Sequence, residues 1–119
     1  MEQLEFWEKV ANSQEIVPLG AVRFDQGKPR MDLLDPTFLE GVAAVLTMGA
    51  EKYSPNNWKK GFNYSRMSSS LFRHLTAWMK GEDVDSESGL PHMHHIACNC
   101  MFIDWMMKNK PELDDRNVS

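Results

Sequence analysis

Apolar residues recur at helical spacing in four segments of this 119-residue chain. The segments cover approximately residues 4–11, 36–52, 65–80 and 91–110. The second has a clear start, because Asp35 can cap a helix and Pro36 fits its first position. Few stretches alternate with a period of two, so strands are not expected. The pattern predicts an all-α fold, a small four- to five-helix bundle.

The remaining boundaries follow from turn residues. The third helix is predicted to start at Ser65 or Ser68 and to be closed by Gly81. Residues 12–36 are interrupted by prolines and glycines, so no long helix fits there. We therefore expect an ordered, extended N-terminal arm at 20–36, a frayed tail at 111–119, and a single domain spanning residues 1–119.

Composition and charge exclude several classes of protein. Hydrophobic residues make up 42% of the chain and charged residues 25%, as in globular proteins and unlike disordered ones. Thirteen basic against seventeen acidic residues give a net charge of −4, so no nucleic-acid polymer is expected as a partner. No apolar run approaches the ~18 residues of a membrane span, and the acidic N-terminus is not a secretory signal. These features predict a cytoplasmic protein with no membrane partner.

The chemistry-bearing residues concentrate around an acidic loop at 82–88. All four histidines flank this loop, and a hairpin folded there would bring its two flanks together. On a helix, His92, His95 and Asn99 share one face while His94 points elsewhere. Two chemistries fit. A transition metal such as zinc could use imidazole and carboxylate ligands, or Mg²⁺ or Mn²⁺ could take the carboxylates while the histidines bind phosphate or move protons.

Two further clusters have functional interpretations beside structural ones. Glu51 lies at a helix C-terminus, where its charge needs a compensating cation. Asn57 and Trp58 could recognise a nucleobase, although Trp58 could equally anchor its loop in the core. The cations of the arm, including Lys28 and Arg30, could contact phosphates or simply be solvated.

Three motifs, taken in order, resemble a known family. They are RFDQGKPRMDLL, GAEKYSPNNWKKG and RHLTAWMKGEDVDSESGLPHMHHIACN, between about Gly20 and Phe102. The set looks like the phage dATP/dGTP diphosphohydrolase N-terminal domain family, which includes the MazZ enzymes and is similar to the MazG-like all-α nucleotide pyrophosphohydrolases. The resemblance implies hydrolysis of a purine nucleoside triphosphate, dGTP or dATP, to the monophosphate and pyrophosphate. It also implies Mg²⁺ or Mn²⁺, a homo-oligomer (dimer or tetramer), and work in the host cytoplasm.

The resemblance also implies a site, by position in this sequence. The ExxE motif of MazG-like enzymes is absent, so the implied metal ligands form a variant set, Glu51, Glu82, Asp85 and His95. The implied catalytic residues are His74, His92 and Lys52. The implied substrate-binding residues are Lys28, Arg30, Asn57, Trp58, Arg73 and Asn99.

Two other functions remain open. The missing ExxE favours a non-catalytic protein that sequesters a nucleotide. The tryptophans and methionines could instead form a partner surface on an interaction protein, but such a protein would not need histidines clustered beside carboxylates. The sequence leaves the base, the sugar and the number of metal ions undetermined.

Overall fold

Three α-helices make up most of the computed structural model, which describes residues 20–117. They are α1 (Pro36–Lys52), α2 (Tyr64–Met79) and α3 (His92–Asn109). Short 3-10 helices lie at Met31–Leu33, Asn57–Lys60 and Pro111–Leu113. Between residues 20 and 117 there is no strand, so the all-α class is confirmed, but three helices are fewer than the four to five predicted. The helix predicted at 4–11 lies outside the described residues.

The chain divides into two compact units, Met1–Leu34 and Asp35–Ser119. In the first, residues 20–30 have no regular structure apart from a turn. All three α-helices belong to the second unit. In the described part of the chain, no helix has both the length and the apolar character needed to cross a membrane.

Helix α1 begins as its sequence predicts. The carboxylate of Asp35 accepts a hydrogen bond from the Thr37 N–H at 3.2 Å, and Pro36 occupies the first helical position. After Lys52 the chain turns through Asn56, which has a left-handed backbone with φ of 59°. Asparagine tolerates this conformation better than most residues, which allows a tight turn into Asn57–Lys60.

Helices α2 and α3 pack antiparallel around the core. The Tyr64 hydroxyl lies 3.2 Å from the Met106 carbonyl and 3.3 Å from that of Lys110, so the start of α2 meets the end of α3. Tyr64, Met67 and Met106 form the buried cluster. The partly buried side chains that pack against this cluster are Phe62, Phe102, Ile103, Trp105 and Leu113.

Helix α1 packs on the other side of α3 and makes few contacts with α2. Gly41 lies against the His94 ring, and the Cys98 thiol contacts the Val42 carbonyl at 3.5 Å. Because residues 41 and 42 face residues 94 and 98 in the same order, α1 and α3 run in roughly the same direction. Burial also raises the pKa of the Cys98 thiol to about 11, so this cysteine stays protonated.

The segment predicted as a frayed tail is docked as far as Asp115. Leu113 packs on the core, and the Asp115 carboxylate accepts hydrogen bonds from the N–H and the hydroxyl of Ser65. This contact also explains why α2 starts at Tyr64 rather than at Ser65 or Ser68. A carboxylate 50 residues away satisfies an N–H in the first turn, so no local cap is needed.

The close approach of α1 and α3 yields a test with an internal control. A Cβ at Gly41 would overlap the His94 ring, whereas a Cβ at Gly49, in the same helix, would meet no atom within 4 Å. We expect Gly41→Ala to lower the free energy of unfolding by about 1–3 kcal/mol, as overpacking does. Gly49→Ala should raise it by about 0.5–1 kcal/mol through helix propensity. Denaturant unfolding measures both, and equal effects would contradict the packing described.

Candidate metal centre and adjoining groove

The acidic loop folds into the hairpin that the histidine distribution predicts. An antiparallel bridge joins Val84 to Pro91, and the Asp85 N–H donates to the Leu90 carbonyl at 2.9 Å. The His92 N–H donates to the Asp83 carbonyl at 3.0 Å, which fixes the loop to the first turn of α3. The loop carboxylates are thereby held against the ends of two helices.

Three histidines meet where α2 passes the start of α3. Nδ1 of His74 lies 2.8 Å from Nδ1 of His92, and the His95 ring stacks on His74 with centroids 4.3 Å apart. On its other side, His92 contacts the Glu82 carboxylate, with Nε2 3.1 Å from Oε1. His92 is buried, while Glu82 is exposed. His94 packs edge-on against Phe38 instead, so the predicted division of the histidines is confirmed.

Asp85 enters the cluster from the loop. Its carboxylate accepts a hydrogen bond from the Ser88 N–H at 2.9 Å and lies 3.8 Å from Nε2 of His95. The Ser88 hydroxyl lies 2.7 Å from the same His95 nitrogen. Burial alone would raise the pKa of Asp85, but the hydrogen bonds from Ser88 and the nearby imidazoles outweigh it. The net result is a lowered pKa, so Asp85 is ionised at neutral pH.

Two of the imidazoles are held in their neutral form. Burial lowers the pKa of His74, and the neighbouring His95 lowers it further although Asp85 opposes the shift. Burial also lowers the pKa of His95, again against the opposing effect of Asp85. A neutral imidazole can donate a lone pair to a metal ion or accept a proton.

One group of side chains in residues 20–117 could hold a metal ion. Ligand atoms of His74, Asp85 and His92 all lie within 4.8 Å of one another. The ligand set implied by the sequence was Glu51, Glu82, Asp85 and His95, and only Asp85 belongs to both sets. His74 and His92, which were expected to act on the substrate, are therefore candidate ligands of the metal ion.

The other three implied ligands have different positions. Glu82 contacts the far nitrogen of His92, and His95 lies beside the group, stacked on His74. Glu51 is exposed and lies nine residues beyond Val42 along α1, or about 14 Å toward the other end of α3. The structure does not bring Glu51 to the cluster.

A large groove opens between α1 and α2, the two helices that barely touch each other. Its volume is about 1080 Å³, and its lining is mostly apolar, with polar groups from Arg66, Ser69, Ser70 and Arg73. Arg73 donates to the Ser69 hydroxyl at 2.9 Å. Arg73 also lines a second cavity of about 550 Å³ together with Glu82. Since Arg73 precedes His74 and its charge helps to lower the pKa of His74, the groove adjoins the metal centre.

Asn57 and Trp58 line this groove, as a role in substrate binding requires. The Trp58 ring also stacks on Phe102, with centroids 4.7 Å apart, and meets Trp105 edge-on at 5.3 Å. Trp58 thus also anchors its loop on α3, which is the structural role that the sequence offered as the alternative to base recognition. Lys52 is exposed and lines neither cavity.

The three remaining predicted substrate-binding residues are Asn99, Lys28 and Arg30. Asn99 is buried and its amide donates to the Ser70 hydroxyl at 3.2 Å, so it is engaged between α2 and α3. Lys28 and Arg30 belong to the first unit, where Arg30 is exposed and pairs with Asp32 at 2.6 Å. Sequence inspection missed Ser88 and Arg66, since a single serine or arginine gives no spacing pattern.

Comparison with known proteins identifies the family. The family model described as dATP/dGTP diphosphohydrolase, N-terminal, matches residues 20–116. The chain belongs to this family. It is 43% identical to the dATP/dGTP diphosphohydrolase of Salmonella phage PMBT28 over an alignment of 98 residues, which covers 82% of the chain. The chain spans about a third of that relative's length (33%), and no solved structure matches it.

The match places every residue of the metal centre and the groove inside the diphosphohydrolase N-terminal domain. It covers α1, α2 and α3 and also the first unit from Gly20 onward. The family assignment made from the three sequence motifs is therefore confirmed.

The lowered pKa values make stability depend on pH. His74 and His95 have pKa values below the ordinary 6.5, so the unfolded chain binds more protons as the pH falls through that value. Metal-free protein should lose stability between pH 7.5 and pH 5.5, a range well above the one in which Asp85 titrates. Denaturant unfolding in the presence of a chelator measures this loss. The double variant His74→Gln/His95→Gln should show a weaker pH dependence, and an unchanged one would contradict the assignment.

Proposed function

We propose that this chain hydrolyses dATP or dGTP to the monophosphate and pyrophosphate with the help of Mg²⁺ or Mn²⁺. The main support is one observation: the His74, Asp85 and His92 group lies beside a large groove, within a domain whose family is named for this activity. The chemistry requires a cation next to a space that can hold a nucleotide, and the second unit offers a candidate site for the cation and a groove of suitable size.

The donor set fits a divalent cation. Asp85 supplies an ionised carboxylate, and His74 and His92 supply imidazole nitrogens from two different helices. Such a cation, when bound, would neutralise phosphate charge and activate water. The protein's own part is to hold these side chains in place, through the Ser88 contact to Asp85 and the Glu82 contact to His92.

The groove offers matching surfaces for a purine nucleotide. Ligand pockets are typically about 300–1,000 Å³, apolar, with a few well-placed polar groups, and this groove has that size and character. At the Trp58 end, an aromatic edge and the Asn57 amide are suited to a base. Nearer the metal centre, Arg73 provides a guanidinium group, which can bind phosphate oxygens in a bidentate manner, while Arg66 lies over the Phe62 ring at the other end of α2.

His95 is the histidine available for proton transfer. It belongs to the cluster but not to the group of three ligands, and its lowered pKa keeps it neutral. Its Nε2 already contacts the Ser88 hydroxyl, so the pair could accept a proton from an attacking water. The sequence placed this role on His74 or His92, whose ring nitrogens instead face each other.

Arg73 provides a direct test of this arrangement. Losing its charge-assisted hydrogen bonds to phosphate should cost about 1.5–3 kcal/mol, which corresponds to a ten- to hundred-fold lower kcat/KM. In the assay, the protein is incubated with each dNTP or NTP in the presence of Mg²⁺, Mn²⁺ or a chelator. The mono-, di- and triphosphates are then separated. We expect metal-dependent monophosphate and pyrophosphate from dGTP or dATP, and a marked loss in Arg73→Ala.

Lys108→Ala is the matched control, because it also removes one positive charge. Lys108 is exposed and pairs with Asp104, four residues away on α3, so this variant should keep full activity. Equal losses in both variants would contradict the role of Arg73. Binding of dGTP with no turnover under any condition would contradict hydrolysis and support nucleotide sequestration instead.

The predicted homo-oligomer has support from the surface of the helices. Large apolar side chains are exposed on α1 and α2, among them Leu39 at 46% and Phe72 at 63%. A second copy could cover such a surface, since closed symmetric pairing is the commonest way to bury it. Light scattering during size-exclusion chromatography should give a mass of about 27 kDa for a dimer or about 55 kDa for a tetramer, since one chain is 13.7 kDa. A monomer of 13.7 kDa would exclude oligomerisation.

In keeping with a phage relative, we place the enzyme in the host cytoplasm.

A further inference from the structure

We infer that His74, Asp85 and His92 form a site that selects a first-row transition metal over Mg²⁺, and that Glu82 is a positioning residue for His92. This inference rests on the proposed function only for the choice of Mn²⁺ over Mg²⁺ as its cation. The metal site itself does not depend on the proposed function, because metal binding can be measured with no nucleotide present.

The first argument is the chemistry of the donor atoms. Two of the three candidate ligand atoms are imidazole nitrogens and one is a carboxylate oxygen. Mg²⁺ prefers oxygen ligands and loses its own water reluctantly, whereas imidazole is a common ligand of Zn²⁺, Co²⁺ and Ni²⁺. A cation held by two nitrogens is therefore expected to be a transition metal.

The second argument is the direction of the hydrogen bonds at His92. The Glu82 carboxylate can only accept, so Nε2 of His92 must carry the proton that it donates there. Nδ1 of His92 is then left with a free lone pair, and this nitrogen faces Nδ1 of His74 at 2.8 Å. Two ring nitrogens converging at this distance can share a proton, or both can bind one cation once His74 moves its proton to Nε2.

The third argument is that each end of the site has an orienting partner. A carboxylate bound to the far nitrogen of a ligating histidine is the usual way in which proteins fix the tautomer and ring orientation of a metal ligand. Glu82 has that position relative to His92, and the Ser88 N–H holds the Asp85 carboxylate at 2.9 Å. His92 is also buried, at 2% exposure, so its ring has little freedom to turn away.

Calorimetric titration of the full chain, stripped of metal with a chelator, tests the selectivity. We expect one Zn²⁺ or Co²⁺ per chain, bound on the order of a hundredfold more tightly than Mg²⁺, with Mn²⁺ between them in the order expected for these metals. Binding of Mg²⁺ as tight as that of Co²⁺ would overturn the inference. Hydrolysis with Mg²⁺ by a chain that binds no transition metal would overturn it while leaving the proposed function intact.

Variants test the assignment of residues. His92→Gln and Asp85→Asn should abolish Co²⁺ binding, while His94→Gln, on the same helix but packed on Phe38, should not. Glu82→Gln should weaken binding about 10- to 100-fold, because it replaces the carboxylate that orients a ligating histidine. Glu87→Gln is its control, because it removes the same charge from the same exposed loop. Circular dichroism shows whether each variant is folded.

The paired carboxylate variants separate positioning from general charge. If Glu87→Gln weakens Co²⁺ binding as much as Glu82→Gln, the effect is the net charge of the loop and the positioning role is wrong. If only Glu82→Gln weakens it, Glu82 acts through His92. Should Asp85→Asn fail to fold, the comparison between these two surface variants still decides the question.

Discussion

The antiparallel packing of α2 on α3 is the constraint on which the rest of the structure depends. The Tyr64 hydroxyl, bonded to carbonyls of Met106 and Lys110, fixes the register of the two helices at one end. Ten residues later along α2, that register brings His74 opposite His92. A shift of one residue on either helix would rotate its side chains by about 100° and separate the two imidazoles. The candidate metal centre is thus a consequence of the core at the other end of the bundle.

The same central position of α3 explains the groove. Both α1 and α2 bury their apolar stripes against α3, and they bury little against each other. Three helices arranged in this way leave an open side, lined by α1 on one wall and α2 on the other. Since Arg73 and His74 are consecutive on α2, one wall of the groove ends at the metal centre. Packing alone therefore places a nucleotide-sized space beside the candidate metal centre.

Local signals in the sequence predicted where the described helices lie, but not every helix boundary and not the tertiary contacts. The start of α1 follows from Asp35 and Pro36, because the cap and the capped N–H are two residues apart. The start of α2 does not follow from any local signal, since Asp115 satisfies its first turn from 50 residues away. The hairpin at 82–88 was predictable because its histidines are close in sequence. The groove was not, because it depends on which helices fail to touch.

The metal centre shows most clearly where sequence spacing misleads. Glu82 and Asp85 are three residues apart, and on a helix they would share a face and could bind one ion together. In this structure they lie in a loop, where spacing has no such meaning. Glu82 contacts the outer nitrogen of His92, and Asp85 lies on the inner side near His74 and His95. The two carboxylates therefore have different proposed roles, since Glu82 would orient a ligand and Asp85 would be one. Histidines from α2 and α3 complete the candidate group with Asp85, so the proposed cation site does not depend on an ExxE motif.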